Sequence, residues 1–323
     1  MKNNFLLVSA FVFMHILLGC PLVEAAIDVP QVINRKNLTE KLTVDDYTVE
    51  IYLDRKHQTN GVLRILKGRA IVFQEQDHRY ELGTNDDYGK PRLLNGARDI
   101  TGDGIKDIVV TNYSGGAHCC YTYKVFSLGS EFSQIADLAV QDAGASVFED
   151  KDGDGIYEFV TWDMTFAYWN ASFAWSPAPQ AILRFKDGRY TLAYDLMTKP
   201  LPTLEEEQTS LIQDEEEIKS LCSNDIWSWR KGNMCVTPDI WGHMLDLIYS
   251  GHPDAAWTFL DRWWKGSQEE KEWFIYDFKS RLVSSPYVQD MPVDLFGFDA
   301  VATDRWGDYF KRISDQLKEG SQQ

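Results

Sequence analysis

The sequence predicts an α+β multidomain protein: a β-rich N-terminal domain of propeller-like repeats, then an α-helical C-terminal domain. Three observations predict it. Short alternating runs of β-branched and aromatic residues recur from Tyr47 to Tyr194. The loop Asp99-Ile-Thr-Gly-Asp-Gly-Ile-Lys-Asp107 returns as Asp150-Lys-Asp-Gly-Asp-Gly-Ile-Tyr-Glu158, a repeat period of 51 residues. After Pro200 and Pro202 the punctuation changes to helix caps. The expected division is a leader at 1–25, a β-repeat domain at 26–202 and a helical domain at 203–323.

The leader has Lys2 as a short positive start and Phe5 to Leu18 as an apolar stretch, which reads as a secretion signal. Val23-Glu24-Ala25 fits small-residue cleavage, giving a free secreted or periplasmic form. Leu17-Leu18-Gly19-Cys20 fits a lipobox, which would leave a lipid anchor on Cys20. Residues 26 to 42 read as an extended lead-in. Strands follow at Tyr47–Leu53 and Val62–Leu66, with Asn60-Gly61 as the hairpin signal, and at Ala70–Phe73 and Tyr80–Leu82. The first loop runs into Ile108–Val110. Tyr121–Phe126 and Phe132–Val140 flank a Gly129-Ser130 turn. The second loop runs into Glu158–Trp162, and Ala181–Phe185 with Tyr190–Tyr194 make a hairpin across Lys186-Asp-Gly188. About four strands per unit suggest propeller-like blades, with 47 to 98 as a third unit lacking the loop. A β-sandwich or sheet stack remains the alternative.

In the helical part, Thr203 to Glu206 is a capping box opening a helix to Leu221 with an acidic face. Thr237-Pro238 starts a second helix, Pro253 a third and Ser267 to Glu270 a fourth, with a last one at 302–317. Trp241, Trp257 and Trp273 recur every 16 residues, consistent with short antiparallel helices packing alike.

A net charge of −17 argues against a nucleic-acid backbone or an anionic lipid surface as partner and suits a cation binder. Five cysteines leave four once Cys20 is removed or lipidated, an even number in an oxidising compartment. Three connectivities are open. Cys222 and Cys235 flank a short loop and are the natural pair; Cys119 and Cys120 would form a vicinal disulfide or leave one thiol buried and one free.

The two loops carry the chemistry. Ca2+ takes six to eight hard oxygen donors. In such a loop alternate side chains point inward and glycines allow the sharp turn. The first loop would offer Asp99, Thr101, Asp103, the carbonyl of Ile105, and Asp107. The second would offer Asp150, Asp152, Asp154, the carbonyl of Ile156, and Glu158. An EF-hand is rejected, because Val110 and Thr161 stand where its bidentate glutamate belongs and strand-like segments follow.

With these residues the two units resemble the FG-GAP or VCBS-type repeats of integrin-like propellers, whose DxDGDGxxD loops bind calcium and staple strands within a blade. Thr101 departs from that pattern where a carboxylate is usual, and Glu158 replaces the usual Asp. The run after the first loop is also similar to a group of exported bacterial proteins of unknown function. This resemblance implies export and fold, with no activity to carry over.

Two other segments invite function. Ser114-Gly-Gly-Ala-His-Cys-Cys120 would be a hydrolase site if His118 served a cysteine as base, and is otherwise a tight turn into a strand. Trp162 to Pro179 holds Phe166, Tyr168, Trp169, Phe173 and Trp175. These rings would stack on sugars if exposed and fold over the core if buried. The leading expectation is a non-enzymatic, calcium-binding protein-interaction module at the cell envelope, without a transmembrane helix once the signal is cleaved. A glycan-binding protein using the 162–175 aromatics and a hydrolase near His118 are the alternatives.

Overall fold

The computed structural model describes residues 32–54, 56, 59–84, 94–117, 120–222 (side chains to 219) and 235–291. The leader, the Cys20 lipobox, His118, Cys119 and the expected helix at 302–317 lie outside the described residues.

Three four-stranded antiparallel meanders follow one another along the chain. The first sheet holds β1 (Leu38–Val44), β2 (Tyr47–Asp54), β3 (Thr59–Lys67) and β4 (Ala70–Asp77). The second holds β5 (Arg79–Leu82), β6 (Asp107–Tyr113), β7 (Tyr121–Leu128) and β8 (Phe132–Gln141). The third holds β9 (Val147–Glu149), β10 (Glu158–Trp162), β11 (Gln180–Lys186) and β12 (Arg189–Leu192). Each acidic loop joins the first strand of its meander to the second. In the first sheet the turn Asp45-Asp46 holds that place.

The two central strands of the middle sheet, β6 and β7, are buried on both faces, which explains the apolar run Ile108–Val110 of β6. Ile108 and Val110 of β6 and Phe126 of β7 share a core with Val49, Ile51, Leu63 and Ile65 of the first sheet. Val109 of β6, with Tyr123 and Val125 of β7, faces the other way, into a core containing Phe159 of β10 and Ile182 of β11.

The helices are α1 (Tyr194–Met197), α2 (Leu204–Ser210), α3 (Glu215–Cys222), α4 (Pro238–Tyr249), α5 (Pro253–Trp263) and α6 (Gln268–Leu282). Trp241 and Met244 of α4, Phe259 of α5 and Phe274 of α6 belong to the same buried cluster as the third sheet. The Tyr249 phenol donates to the buried Asp163 carboxylate, tying α4 to the segment after β10. Capping boxes form at Thr203/Glu206 and Ser267/Glu270, and Pro238 and Pro253 stand in first turns.

Four local expectations change. The lead-in contains β1, an edge strand whose alternate residues are exposed, so its apolar signal is thin. Asn60-Gly61 lies inside β3. Asn60 has φ 63° at a bulge, and a Cβ on Gly61 would stand 3.0 Å from the Arg79 Cα. Glycine is therefore needed for close backbone approach rather than for the turn. The strand expected at Tyr190–Tyr194 ends at Leu192, and Tyr194 opens α1. The helix expected from Thr203 to Leu221 is two. The Asp239 carboxylate captures the Ile212 N–H at 2.7 Å, and Asp214 recaps the chain by accepting from Glu217 N–H. Its acidic face is not wholly solvated: Glu207 is buried and paired with Arg262.

Candidate metal centre

The two loops are the same device at hydrogen-bond resolution. Asp99 accepts from Gly102 and Gly104 N–H at 2.7 and 2.8 Å. Asp150 accepts from Gly153 and Gly155 at 2.7 and 3.1 Å. Asp103 accepts from Ile105 and Asp154 from Ile156, at 2.8 and 2.7 Å. The closing carboxylate reaches back in both: Asp107 to Ile100 N–H at 3.1 Å, Glu158 to Lys151 N–H at 3.0 Å. Positive φ at Gly102, Gly104, Gly153 and Gly155 makes the turns possible.

The loops also touch. Tyr157 N–H donates to the Ile100 carbonyl at 2.9 Å. Arg98 donates to the Tyr157 hydroxyl, and its guanidinium stands 5.3 Å from that ring. Ile156 packs where a Cβ on Gly102 would fall, 2.7 Å from its Cγ1.

Among the described residues one trio of carboxylates converges: oxygens of Asp150, Asp152 and Glu158 lie within 4.8 Å of one another. Asp154 does not join that trio. Asp99, Asp103 and Asp107 form no such trio in the first loop. There Thr101 Oγ donates to Asp107 at 3.2 Å instead of bringing a further charge.

Charge is balanced differently in the two loops. Arg184, on β11, donates to Glu158 at 3.1 Å, Asp152 at 2.8 Å and Asp195 at 3.2 Å. Asp107 has no cation paired with it among the described residues. It is 1% exposed, and its Oδ1 has no hydrogen bond of normal geometry. Burial pushes its carboxyl up to about 6, against the Ile100 and Thr101 bonds. The Tyr190 phenol is pushed well above its ordinary range by burial and by the Asp107 and Glu158 charges, so it lies near both loops.

Sequence reasoning missed Arg184, Asp195 and Tyr190. A single arginine in the apolar run Ala-Ile-Leu-Arg-Phe was the available signal, since a lone charge in a buried strand needs a partner.

The other candidates are placed as follows. Phe166 is fully buried, and Trp169 meets Trp241 edge-on with ring centres 5.2 Å apart. Tyr168 and Trp175 are exposed, at 57% and 42%. Cys120 and Cys235 are both disulfide-bonded, and the Cys222 side chain lies outside the described residues. Ser210 Oγ lies 2.9 Å from His243 Nδ1. Its proton goes to the Glu207 carbonyl at 2.8 Å, so the hydroxyl accepts from the imidazole and is not an activated nucleophile. No helix among the described residues is long and apolar enough to cross a membrane.

Fold and site together define a protein of three consecutive β meanders carrying paired acidic loops. The chain is 36% identical over 85 residues to a probable thylakoid lumen protein of Synechocystis sp., covering 25% of each chain. It is 32% identical over 83 residues to an uncharacterized protein of Sinorhizobium fredii, covering 25% of this chain and 13% of that one. The matched stretch thus spans a quarter or less of these relatives' own length. No family model matches the chain, and no solved structure matches it.

Proposed function

We propose that this chain is an exported scaffold whose acidic loops take calcium and staple neighbouring strands, presenting a protein-interaction surface at the cell envelope. The observation that carries the calcium reading is the convergence of Asp150, Asp152 and Glu158, on a loop geometry repeated at Asp99–Asp107. Hard oxygens at that spacing suit calcium rather than a soft-ligand metal. Asp154 and the Ile156 carbonyl would complete the second site. Asp99, Thr101, Asp103, the Ile105 carbonyl and Asp107 would form the first. The buried Asp107 carboxylate, with no cation paired to it among the described residues, fits a cation there. In the second loop calcium competes with Arg184, which would keep Asp195 as its partner. Export is supported by the apolar leader and by the printed name of the Synechocystis relative.

Calorimetric titration of calcium into chelator-stripped protein, paired with thermal melts, tests this. Saturation at one hundred times Kd stabilises by about 2.7 kcal/mol and raises the melting temperature. Removing the competing cation by Arg184→Gln is expected to tighten calcium at the second loop by about tenfold, roughly one pKa-unit equivalent of electrostatic competition. No heat and no melting shift at millimolar calcium, in either protein, would end the calcium reading.

A further inference from the structure

The two acidic loops meet along a seam made by Arg98, Ile100, Gly102, Ile156 and Tyr157. Ile156 and Tyr157 share the peptide unit whose carbonyl would ligate a cation in the second loop. The N–H of that same unit donates to the Ile100 carbonyl at 2.9 Å. Ile100 is buried, and its own N–H donates to the carboxylate of Asp107, the closing residue of the first loop, at 3.1 Å. One buried residue is thus bonded at its carbonyl to the second loop and at its amide to the first.

Arg98 makes a second link. Its backbone N–H and C=O pair with the C=O and N–H of Asp107 at 2.9 and 2.8 Å. Its guanidinium donates to the Tyr157 hydroxyl and stands 5.3 Å from the centre of that ring. The contact is also close-packed. A Cβ on Gly102 would stand 2.7 Å from Ile156 Cγ1, well inside the ordinary approach of two carbon atoms.

A cation in the second loop needs the Ile156 carbonyl held in place, and one in the first needs the Asp107 carboxylate held. The same Ile100 and Arg98 bonds fix both. The ordering entropy of the seam is therefore lost once, with the first ion, and the second ion meets groups already fixed. Repulsion between the two dications acts in the opposite sense and is screened by salt.

We propose that the two loops are a coupled pair, in which occupancy of either raises the calcium affinity of the other through Ile100 and Arg98; this rests on the calcium reading above. The coupling is reciprocal, as linkage requires.

The test is a double-mutant cycle read by amide NMR during calcium titration of the full chain. The Gly104 N–H, bonded to Asp99 at 2.8 Å, reports the first loop, and the Gly155 N–H, bonded to Asp150 at 3.1 Å, the second. Asp152→Asn/Asp154→Asn weakens the second loop while keeping acceptors for the Asp154 and Ile156 amides. Ile156→Ala/Tyr157→Ala strips side chains from the seam and alters no charge and no ligand group. With the seam intact, weakening the second loop is expected to lower first-loop affinity about fivefold or more; with the seam stripped, about twofold or less. The charge change is common to both backgrounds and cancels. Equal loss in both backgrounds, no loss in either, or a calcium response at Gly155 alone would overturn the coupling and leave the calcium reading standing. No response at either glycine in the wild type would end both. If the stripped protein does not fold, Tyr157→Ala alone takes its place in the cycle.

Discussion

The loop at Asp99–Asp107 and the loop at Asp150–Glu158 share their backbone bonds and differ in how the closing carboxylate is neutralised. Glu158 is fully buried and held by the Arg184 guanidinium. Asp107 is as deeply buried, with a threonine hydroxyl and a backbone amide in place of a cation. The difference teaches that a loop's shape and its charge balance have separate origins. Shape comes from residues inside the loop. Charge balance comes from a strand 26 residues further along the chain. Without a bound cation, the second loop is therefore the internally compensated one and the first is the electrostatically strained one.

The largest expected effect breaks that contrast directly. Glu158→Ala removes the buried carboxylate that Arg184 and the Lys151 amide share, while Arg184 keeps Asp152 and Asp195; the loss of two charge-assisted hydrogen bonds costs about 3 kcal/mol. Urea denaturation in chelator measures it. An equal loss in Asp107→Ala would mean that the two closing carboxylates contribute alike.

A smaller effect probes the docking of the loops. Gly102→Ala meets both a left-handed backbone, φ 77°, and the Ile156 side chain; its expected cost is about 1–3 kcal/mol. Gly153→Ala has φ 81° but open space around the new Cβ, so only the backbone term of about 1 kcal/mol remains. The gap between them, read from the same denaturation curves, reports the loop–loop contact. Equal costs would show that Ile156 moves aside freely.

The smallest effect is a pH dependence confined to the first loop. The folded Asp107 carboxyl lies at about 6, above its ordinary 3.8. Between those values the folded state holds more protons than the unfolded state, so this group's contribution to stability falls as pH rises through that window. Melts in chelator should therefore decline more from pH 4 to 6 in the wild type than in Asp107→Asn. Saturating calcium should remove the difference, because a cation favours the ionised form. Parallel curves for the two proteins in chelator would place the Asp107 carboxyl at an ordinary value.

Much of the local fold was legible. Glu158–Trp162 forms the expected strand, and both capping boxes formed, because alternation and caps depend on residues a few positions apart. The helix split at Leu211 was not legible, because its cause, Asp239, is distant in sequence. Nor was the burial of Glu207, whose partner Arg262 sits on α5. The aromatic segment divided in the same way. Phe166 and Trp169 went under the helices while Tyr168 and Trp175 stayed exposed, a choice made by the position of α4.

By itself the sequence determined the two loop shapes, since an aspartate two to five residues before an amide and a glycine with positive φ suffice to form them. It also determined the succession of β meanders and the helix starts. Only the tertiary structure decided that β6 and β7 are buried on both faces, that the helices share the third sheet's core, and that Arg184 rather than a residue of the loop balances Glu158. These are outcomes of which strands and helices meet. A charge or an apolar side chain is compensated by whatever lies nearest in space, and chain order does not specify that neighbour.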